Sequence, residues 1–496
     1  MRVSFLSFKT KPGRFLAFLL LWGIFYVAAR QFLDPDLGWH LKTGEWIWQN
    51  RRLPEKDLFS YTMPDYSWRL HSWSGTLIFY LINQQWGYQG MLLFSSLVLA
   101  LAFWLAAGPK KIVLSWFPLS LASLAGLSFV APRPRVIGIL LAAVVFGCLR
   151  ISWSKPAWLL LVPPVFGIWA NLHGGFPLGL VIFFWAIISQ LILFFKQKKK
   201  LSPFLGWLGL AFLFSVGATL INPYGFGFYQ EVFGEMAGGQ KVHLRIGEWL
   251  PYSQFDPAMI VFTSLFLVLA FFLKKSLSFW EKTVSFGLLL ATLFSARFLI
   301  YYLLFALPLL VRLIKDFLKL VSSHERFQLL VLKKSWFLGG IVTLFLVSLT
   351  GRLISFGGLS EKRFYPQGAV AFLGQEKISG NLFSIYNWGG YLIWKFPGKR
   401  VFVDGRMLIW QEDGYSAFEQ ELRLKRGEED FQAVFEKYQI SHALLAVGES
   451  ASDPLLVSFK NFLGKTTPNF DLGQELLAKN WRLIYKDEVA QVLEKP

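Results

Sequence analysis

Long apolar runs constrain this chain more than any other feature. Eleven stretches are close to the roughly 17–22 mostly apolar residues that cross a membrane as a helix. They lie near 15–33, 88–107, 112–131, 136–150, 157–171, 175–195, 203–221, 258–273, 279–296, 298–311 and 335–354. The composition agrees, because only 16% of the residues are charged and 54% are hydrophobic. The sequence therefore predicts a polytopic α-helical membrane protein with about 11 transmembrane helices.

The segment 279–311 allows two interpretations. Two short spans would meet at a tight turn around Arg297, whereas one long tilted span would place the C-terminal region inside the cell. The single span would also leave the six basic residues between Arg312 and Lys334 on the outer side. Cytoplasmic loops normally hold the excess of Lys and Arg, so two spans are favoured.

The distribution of charge predicts the orientation. The formal net charge is +19, but the basic residues lie between apolar runs and not on one water-exposed face, which argues against nucleic acid as a partner. With an uncleaved first span and a cytoplasmic N-terminus, 21 of the 33 basic residues before residue 355 fall on the inner side. Ten of the 13 acidic residues in that part fall in two outer loops. We expect a multi-pass protein of the cell membrane with its C-terminus outside.

The pattern changes after Ile354 to short alternating segments with a net charge of −1. "NLFSIYN", "RVFVDGR", "HALLAV" and "WRLIYKD" are typical of strands, and "AVAFLGQEK", "FQAVFEKYQ" and "LGQELLAKN" of helices. Residues 1–354 are therefore predicted to form a transmembrane domain, with a first outer loop at 34–87. Residues 355–496 are predicted to form an extracytoplasmic α/β domain.

Asp34-Pro35-Asp36 opens the first outer loop at the end of the first span. Two carboxylates at the membrane surface need a cation, a donor or water nearby. If a helix starts after Pro35, Asp36 and His40 share one face, and the group would suit either a divalent metal or a general base. The alternative is structural, with Asp36 as the N-cap of the helix "LGWHLKTGEWIWQ" and Asp34 as an interfacial acid. Trp-rich segments later in the loop, "GEWIWQNRRLP" and "HSWSGTLIFYLINQQWG", are typical of helices lying in the headgroup layer.

Several motifs resemble a known group of proteins. Asp34-Pro35-Asp36, Trp39-His40 and Gly44-Glu45-Trp46 are similar to the first outer loop of bacterial and archaeal GT-C superfamily glycosyltransferases. "APRPRV", "WANLHGG", "INPYG", "SAR", "GGYLIW" and "FVDGR" match the same group over most of the chain. The resemblance implies an inverting membrane glycosyltransferase that takes a sugar from a polyprenyl-phosphate carrier at the outer face. It implies that an acid of the first loop, Asp36 or Asp34, acts at the active site, and it leaves the metal requirement open between Mg or Mn and none.

Basic residues at the outer ends of spans are candidates for the donor phosphate. Arg133, Arg135 and Arg297 depart from the positive-inside pattern, and arginine suits phosphate geometry. His173 in "NLHGG" is the accompanying histidine. The structural alternatives are snorkelling arginines that meet headgroups or neutralise an acid, and a histidine that is a hydrogen-bond donor at a helix end. For Asp404-Gly405-Arg406, an internal Asp–Arg pair is the favoured interpretation.

These observations predict a GT-C-type glycosyltransferase with Asp36 as general base, supported by Asp34 and His40. Its partners would be a polyprenyl-phosphate sugar, membrane lipid and an acceptor that is a glycan, a lipid or a protein. The main alternative is a carrier or flippase for a lipid-linked saccharide, which would need charged or broken helices near the bilayer midplane. A second alternative is a non-catalytic assembly protein whose outer domain binds a partner.

Overall fold

A computed structural model describes residues 11–30, 34–108, 112–197, 203–230, 232–234, 257–322, 364–376, 378–448 and 470–496. The chain divides into two compact units. The helical unit comprises Met1–Phe32, Gln89–Gly225 and Pro251–Gly357. The α/β unit comprises Leu33–Tyr88, Phe226–Leu250 and Gly358–Pro496, so the first outer loop packs with the C-terminal segment. The predicted domain boundary at 354/355 lies outside the described residues.

Apolar helices form the helical unit. They are α1 Lys11–Ala29, the second half of α3 Trp73–Ala107, α4 Ile112–Ala125, α5 Arg135–Ser152, α6 Val162–Leu172, α7 Phe176–Gln197, α8 Pro203–Thr219, α9 Pro257–Phe272, α10 Phe279–Phe294 and α11 Leu299–Ser322. The backbone of α3 leaves the helical conformation at Gly87, where φ is 62° and ψ is −163°. Only glycine adopts such angles without strain, which explains why the break is at this residue. Gly87 directly precedes the predicted second span, 88–107.

The helices match the predicted apolar runs in position. In the part of the chain that the structure describes, helical segments lie at ten of the eleven runs, and the run at 335–354 is outside that part. Four of the described helices meet the length and hydropathy expected of a membrane span: Trp73–Ala107, Arg135–Ser152, Phe176–Lys196 and Ala296–Val321. Gly13–Ala29, Pro156–Leu172, Pro203–Thr219 and Pro257–Phe272 are shorter apolar helices. A membrane fold is thus confirmed, while eleven crossings stay a prediction.

Two helices occupy the ambiguous segment 279–311, as predicted. The first begins with a capping box, in which Ser278 Oγ accepts from the Glu281 N–H at 3.2 Å and Glu281 Oε2 accepts from the Ser278 N–H at 2.9 Å. It ends at Ser295, whose φ of −153° is extended. A short 3-10 turn, Ala296–Phe298, then places Arg297 directly before α11.

The α/β unit contains a four-stranded sheet in the order β1-β2-β4-β3. The strands are β1 Asn381–Ser384, β2 Ile440–Ala446, β3 Arg482–Lys486 and β4 Ala490–Glu494. β1 pairs with β2 in parallel, and β4 is antiparallel to both β2 and β3. The helices of this unit are α2 Leu37–Asn50, the first half of α3, α12 Gln367–Gln375, α13 Tyr386–Lys395, α14 Ala417–Arg426, α15 Phe431–Lys437 and α16 Leu472–Ala478. One apolar core joins α2 and the loop after it to the sheet and its helices.

The prediction of a strand at "RVFVDGR" is wrong. Only Val401 pairs, in a single bridge to Ser60 of the first loop, through the Val401 N–H to Phe59 O at 2.8 Å and the Tyr61 N–H to Val401 O at 3.2 Å. The chain then turns at Asp404, whose carboxylate accepts from the Arg406 N–H at 3.0 Å. The segment has the residue types of a strand, but its neighbour is an irregular loop with one residue in register.

Candidate functional site

Asp36 stands immediately before α2, in the N-cap position. Its side chain makes no capping hydrogen bond, and Oδ1 instead accepts from Trp39 Nε1 at 3.1 Å. Asp36 therefore holds the N-cap position of the structural alternative, but its carboxylate bonds to the indole of Trp39 and not to the helix backbone. The side chain is half-buried. This arrangement presents a fixed carboxylate at the start of a helix, next to an indole donor.

Asp34 is held by the same short segment. Its side chain is buried, at 6% exposure, and Oδ1 accepts from the Asp36 N–H at 2.9 Å. Its carbonyl oxygen accepts from the Tyr365 hydroxyl at 2.9 Å. The carboxylate of Asp34 thus fixes the backbone that carries Asp36, which is the Asx-turn geometry expected of such a residue. The two acids are neighbours with different surroundings, and Asp36 is the more open.

His40 follows one turn after Asp36 in α2, as the spacing predicts. It is 3% exposed, its ring stacks on Trp39, and Nδ1 lies 2.9 Å from Thr76 Oγ1. Thr76 belongs to α3, so this hydrogen bond ties the two loop helices together. The contacts of its ring are those of a packed interior side chain, and its predicted support of Asp36 stays a prediction.

Glycines let three sequence motifs approach each other closely inside the α/β unit. A Cβ atom at Gly38 would overlap the carbonyl oxygen of Gly390, and one at Gly390 would overlap that of Pro35. A Cβ at Gly405 would overlap Asp36 Oδ1. Asp34-Pro35-Asp36, "GGYLIW" and Asp404-Gly405-Arg406 therefore meet at one place. Each of these glycines has an ordinary φ, so glycine is needed there because a side chain has no room and not because the backbone is strained.

A buried ion cluster lies directly behind Gly405. Arg406 Nη2 contacts Asp404 Oδ2 at 2.6 Å and Nη1 contacts Asp57 Oδ1 at 2.7 Å, with all three side chains at most 1% exposed. The carboxylate of Asp57 also accepts from the N–H groups of Phe59 and Ser60. The favoured interpretation of Asp404 and Arg406 as an internal pair is confirmed. Burial disfavours the charge on Arg406, but the two carboxylates outweigh that effect and raise its pKa above its ordinary value.

Aromatic rings enclose the same guanidinium. The Arg406 Cζ lies 4.7 Å from the ring centroid of Trp68, 5.0 Å from that of Phe59 and 5.1 Å from that of Trp410. These cation–π contacts fill the space around a charge that two acids already neutralise. Two carboxylates of its own chain neutralise the guanidinium, so we interpret the cluster as structural.

No group of three or more His, Cys, Asp or Glu side chains among the described residues has the arrangement of a metal site. The suggestion that Asp34 and Asp36 together hold a divalent cation stays a prediction.

A second set of candidate residues lies in the helical unit, around Tyr301. A Cβ built at Gly175 would lie 2.9 Å from the Tyr301 hydroxyl and 3.0 Å from His173 Nδ1, so these two groups face the same small space. His173 Nδ1 accepts from the Gly175 N–H at 3.0 Å. Because Nδ1 is the acceptor, a neutral His173 carries its proton on Nε2, which is then a hydrogen-bond donor.

Arg135 and Arg297 lie near the same tyrosine. Both guanidinium groups interact electrostatically with Tyr301, and the Cζ of Arg135 stands 5.2 Å from the ring centroid of Phe129. The structure therefore brings together three of the four predicted phosphate-binding residues. Arg133, the fourth, lies two residues before Arg135 in the turn that starts α5, where its carbonyl accepts from the Val136 N–H.

The positive ends of three helices meet at this cluster. Arg135 is the first residue of α5, Gly175 directly precedes α7, and Tyr301 lies in the first turn of α11. Helix N-termini carry unpaired N–H groups and a partial positive charge, which favour a bound anion. Together with two arginines, they make a strongly cationic region.

The described acids of the helical unit are at the other end of these helices. They are Glu281 and Asp316. Glu281 pairs with Arg312 at 2.7 Å and interacts with Arg150, which lies 15 residues, or about 22 Å, along α5 from Arg135. Glu281 and Asp316 thus lie away from Tyr301, at the end of the helices that also holds Arg150 and Arg312.

Some residues of these two sites were not found by sequence reasoning. Trp39 was noted only as part of a motif, and Tyr301 and Asp57 were not singled out. A signal for Tyr301 existed in its position four residues after Arg297, one helical turn away. Asp57 had none, because its partner Arg406 is about 350 residues away in the sequence.

No family model and no curated protein sequence matches the chain. Solved structures do match it in fold. ArnT from Cupriavidus metallidurans bound to undecaprenyl phosphate aligns with a TM-score of 0.53, at 10% identity, over 98% of each chain. ArnT in the apo state aligns with a TM-score of 0.53, at 11% identity, over 97% of each. An oligosaccharyltransferase from Archaeoglobus fulgidus aligns with a TM-score of 0.54, at 11% identity, over 88% of this chain and 70% of the other. The chain therefore has the GT-C fold, which confirms the resemblance at the level of fold.

Proposed function

We propose that the protein is a membrane glycosyltransferase that takes a sugar from a polyprenyl-phosphate donor at the outer face of the cell membrane. The observation that carries the proposal is the cationic region around Tyr301. Its hydroxyl and His173 Nδ1 face one small space, Arg135 and Arg297 act on it electrostatically, and three helices begin nearby. A phosphate is the anion that such a group suits best, because arginine matches it bidentately and helix N-termini attract it. The shared fold with ArnT, whose structure holds undecaprenyl phosphate, supports the same donor class.

The chemistry assigns a separate task to each site. Asp36 accepts the proton of the acceptor hydroxyl, whose oxygen forms a bond to the anomeric carbon of the sugar. The bond from that carbon to the phosphate oxygen breaks, polyprenyl phosphate leaves, and the configuration inverts. Arg135 and Arg297, with Arg133 and His173, stabilise the negative charge that grows on the departing phosphate. Asp34 and His40 support the segment that carries Asp36.

Binding of undecaprenyl phosphate to the purified protein in detergent tests the donor assignment. We expect the full-length protein to bind undecaprenyl phosphate and not undecaprenol, which lacks the charge. Arg135→Gln and Arg297→Gln should each weaken binding by about 10-fold or more, the value of one charge-assisted hydrogen bond. Lys155→Gln is the matched control, since Lys155 is exposed just beyond the other end of α5. Equal binding of the alcohol and the phosphate would contradict the proposal.

Sugar transfer tests the catalytic assignment. Membranes containing the protein are incubated with radiolabelled glucose, mannose or N-acetylglucosamine on polyprenyl phosphate, and release of the label from the lipid is followed. Asp36→Asn should lower the rate by about 10²–10⁴-fold, the usual contribution of a general base. Wild-type rates in correctly inserted Asp36→Asn protein would show that another group is the base. Movement of labelled lipid across liposomes, unaffected by loss of Asp36, would instead favour a flippase.

A further inference from the structure

The role of the C-terminal segment in the α/β unit can be read from the contacts of Asp36. Trp39 Nε1 donates to Asp36 Oδ1, and the backbone of Gly405 lies against the same oxygen. The carboxylate is therefore in contact with an indole of α2 and with a peptide unit contributed by a residue far along the chain. Any side chain at position 405 would occupy the place of Oδ1.

Gly405 is held by the residues on both sides of it in the chain. Its neighbours Asp404 and Arg406 form the buried ion cluster, and its carbonyl accepts from the Tyr386 hydroxyl at 3.4 Å. Arg406 also contacts Asp57 of the first loop at 2.7 Å, so the turn is bound to the loop that carries Asp36. A rigid turn of this kind sets a position in space more accurately than a free surface loop does.

We infer that the turn Asp404-Gly405-Arg406 is a positioning device for the Asp36 carboxylate, so that the C-terminal segment contributes to catalysis through the geometry of the general base. The inference rests on the proposed function, in which Asp36 is that base. Gly405 touches neither substrate in this scheme, and it acts only by limiting where Asp36 Oδ1 lies. It is a positioning residue.

Gly405→Ala is the direct test, because the added methyl group meets the end of a side chain and not backbone. The Asp36 carboxylate can rotate away, and the fold has no need to move. We expect kcat for sugar release to fall by about 100-fold, the cost of misplacing a catalytic group by about 1 Å. The KM for the lipid donor should change by less than about 3-fold, because donor binding is assigned to the helical unit. Gly374→Ala is the matched control, because nothing lies within 4 Å of that position.

Combination with Asp36→Asn separates positioning from general damage. If Gly405 acts through Asp36, Gly405→Ala should produce no further loss of kcat once the carboxylate is gone. A further 100-fold loss in the Asp36→Asn background, or an unchanged kcat in the single variant, would overturn the inference. If Asp36→Asn alone retains the wild-type rate, the proposed function fails first, and this result is distinct from the other two.

Trp39→Phe keeps the experiment decisive if Gly405→Ala does not accumulate in the membrane. It removes the Nε1 donor to Asp36 and keeps an aromatic ring, though a smaller one, at this buried position. We expect a loss of about 10-fold in kcat, an unchanged KM, and again no further loss in the Asp36→Asn background. Structures of the Gly405→Ala and Gly374→Ala proteins give a readout that does not depend on activity. Asp36 Oδ1 should leave its position in Gly405→Ala protein and retain it in Gly374→Ala protein.

Discussion

The two units differ in how they treat buried charge. In the α/β unit, Arg406 is enclosed by two carboxylates and three aromatic rings, so the cluster is complete within its own chain. In the helical unit, Arg135 and Arg297 gather around Tyr301 at three positive helix ends, while the described acids of that unit lie at the opposite end of the helices. Removal of one member of a neutralised buried cluster destabilises a fold, whereas a concentration of like charges costs stability and is typical of a ligand site. Arginine is therefore structural in the α/β unit and a candidate ligand-binding residue in the helical unit.

Removal of Arg406 should give the largest effect on stability. Arg406→Met leaves Asp57 and Asp404 buried without their cation, and breaking a buried cluster in this way costs about 3–5 kcal/mol. Thermal unfolding of the full-length protein in detergent measures the loss. Arg423→Met is the control, because Arg423 is 47% exposed in its pair with Glu429 and such surface pairs contribute less than about 1 kcal/mol. Equal unfolding temperatures for the two variants would contradict the structural interpretation of the cluster.

Gly390→Ala should have a smaller effect on stability. The methyl group would meet the carbonyl oxygen of Pro35, which is backbone and cannot turn aside as the Asp36 side chain can. We expect a loss of about 1–3 kcal/mol, the usual cost of overpacking. The protein would then be impaired in folding as well as in activity, unlike Gly405→Ala. A Gly390→Ala protein as stable as Gly374→Ala would show that the two segments do not pack as closely as described.

Arg297→Gln should change stability by less than about 1 kcal/mol, in either direction, because it removes one of several like charges from a cationic region. Its effect on undecaprenyl phosphate binding should nevertheless be large. Arg406→Met and Arg297→Gln should thus have opposite effects, since Arg406 would be needed for stability and Arg297 for binding of the lipid phosphate. If Arg297→Gln unfolded as readily as Arg406→Met, the two clusters would be of one kind.

His442 should give the smallest effect, as a function of pH. It is 4% exposed in β2, and burial lowers its pKa below its ordinary value of 6.5 even though Glu494 lies 3.7 Å away and acts in the opposite sense. The unfolded chain then binds this proton more readily than the folded one. The folded state is therefore most stable with respect to His442 at pH 7 and above. That stability is lost as the pH falls through 6.5, the pKa of the unfolded chain, towards the lower pKa of His442 in the folded protein. The unfolding temperature of His442→Gln protein should therefore vary less between about pH 5 and 7 than that of wild type, and parallel profiles would contradict this.

The apolar runs predicted the helices well because crossing a membrane imposes a length and an apolar composition on each helix separately. The same local reasoning found the two helices on either side of Arg297 and the internal pairing of Asp404 with Arg406. It did not find the strand β4 or the helices α13 and α14, whose residues are short and mixed in character. It placed a strand at "RVFVDGR" because strand residue types say nothing about whether a partner strand exists.

The contacts of Asp36 were beyond sequence reasoning for a different reason. The pairs Asp36 with Gly405, Gly38 with Gly390 and Asp57 with Arg406 join residues about 350 positions apart, and no local pattern records such a pairing. The glycines in "GGYLIW" and "FVDGR" were visible as motifs, but the space they leave is explained only by the segment that fills it.

The separation of Asp57 from Arg406 also bears on how the protein is made. At about 5–20 residues per second, ribosomes need roughly 20–70 s to proceed from the first of these residues to the second. Throughout that time the first loop exists without the segment that covers its tryptophans and neutralises its carboxylate. Nascent chains stopped before residue 400 would present this surface uncovered.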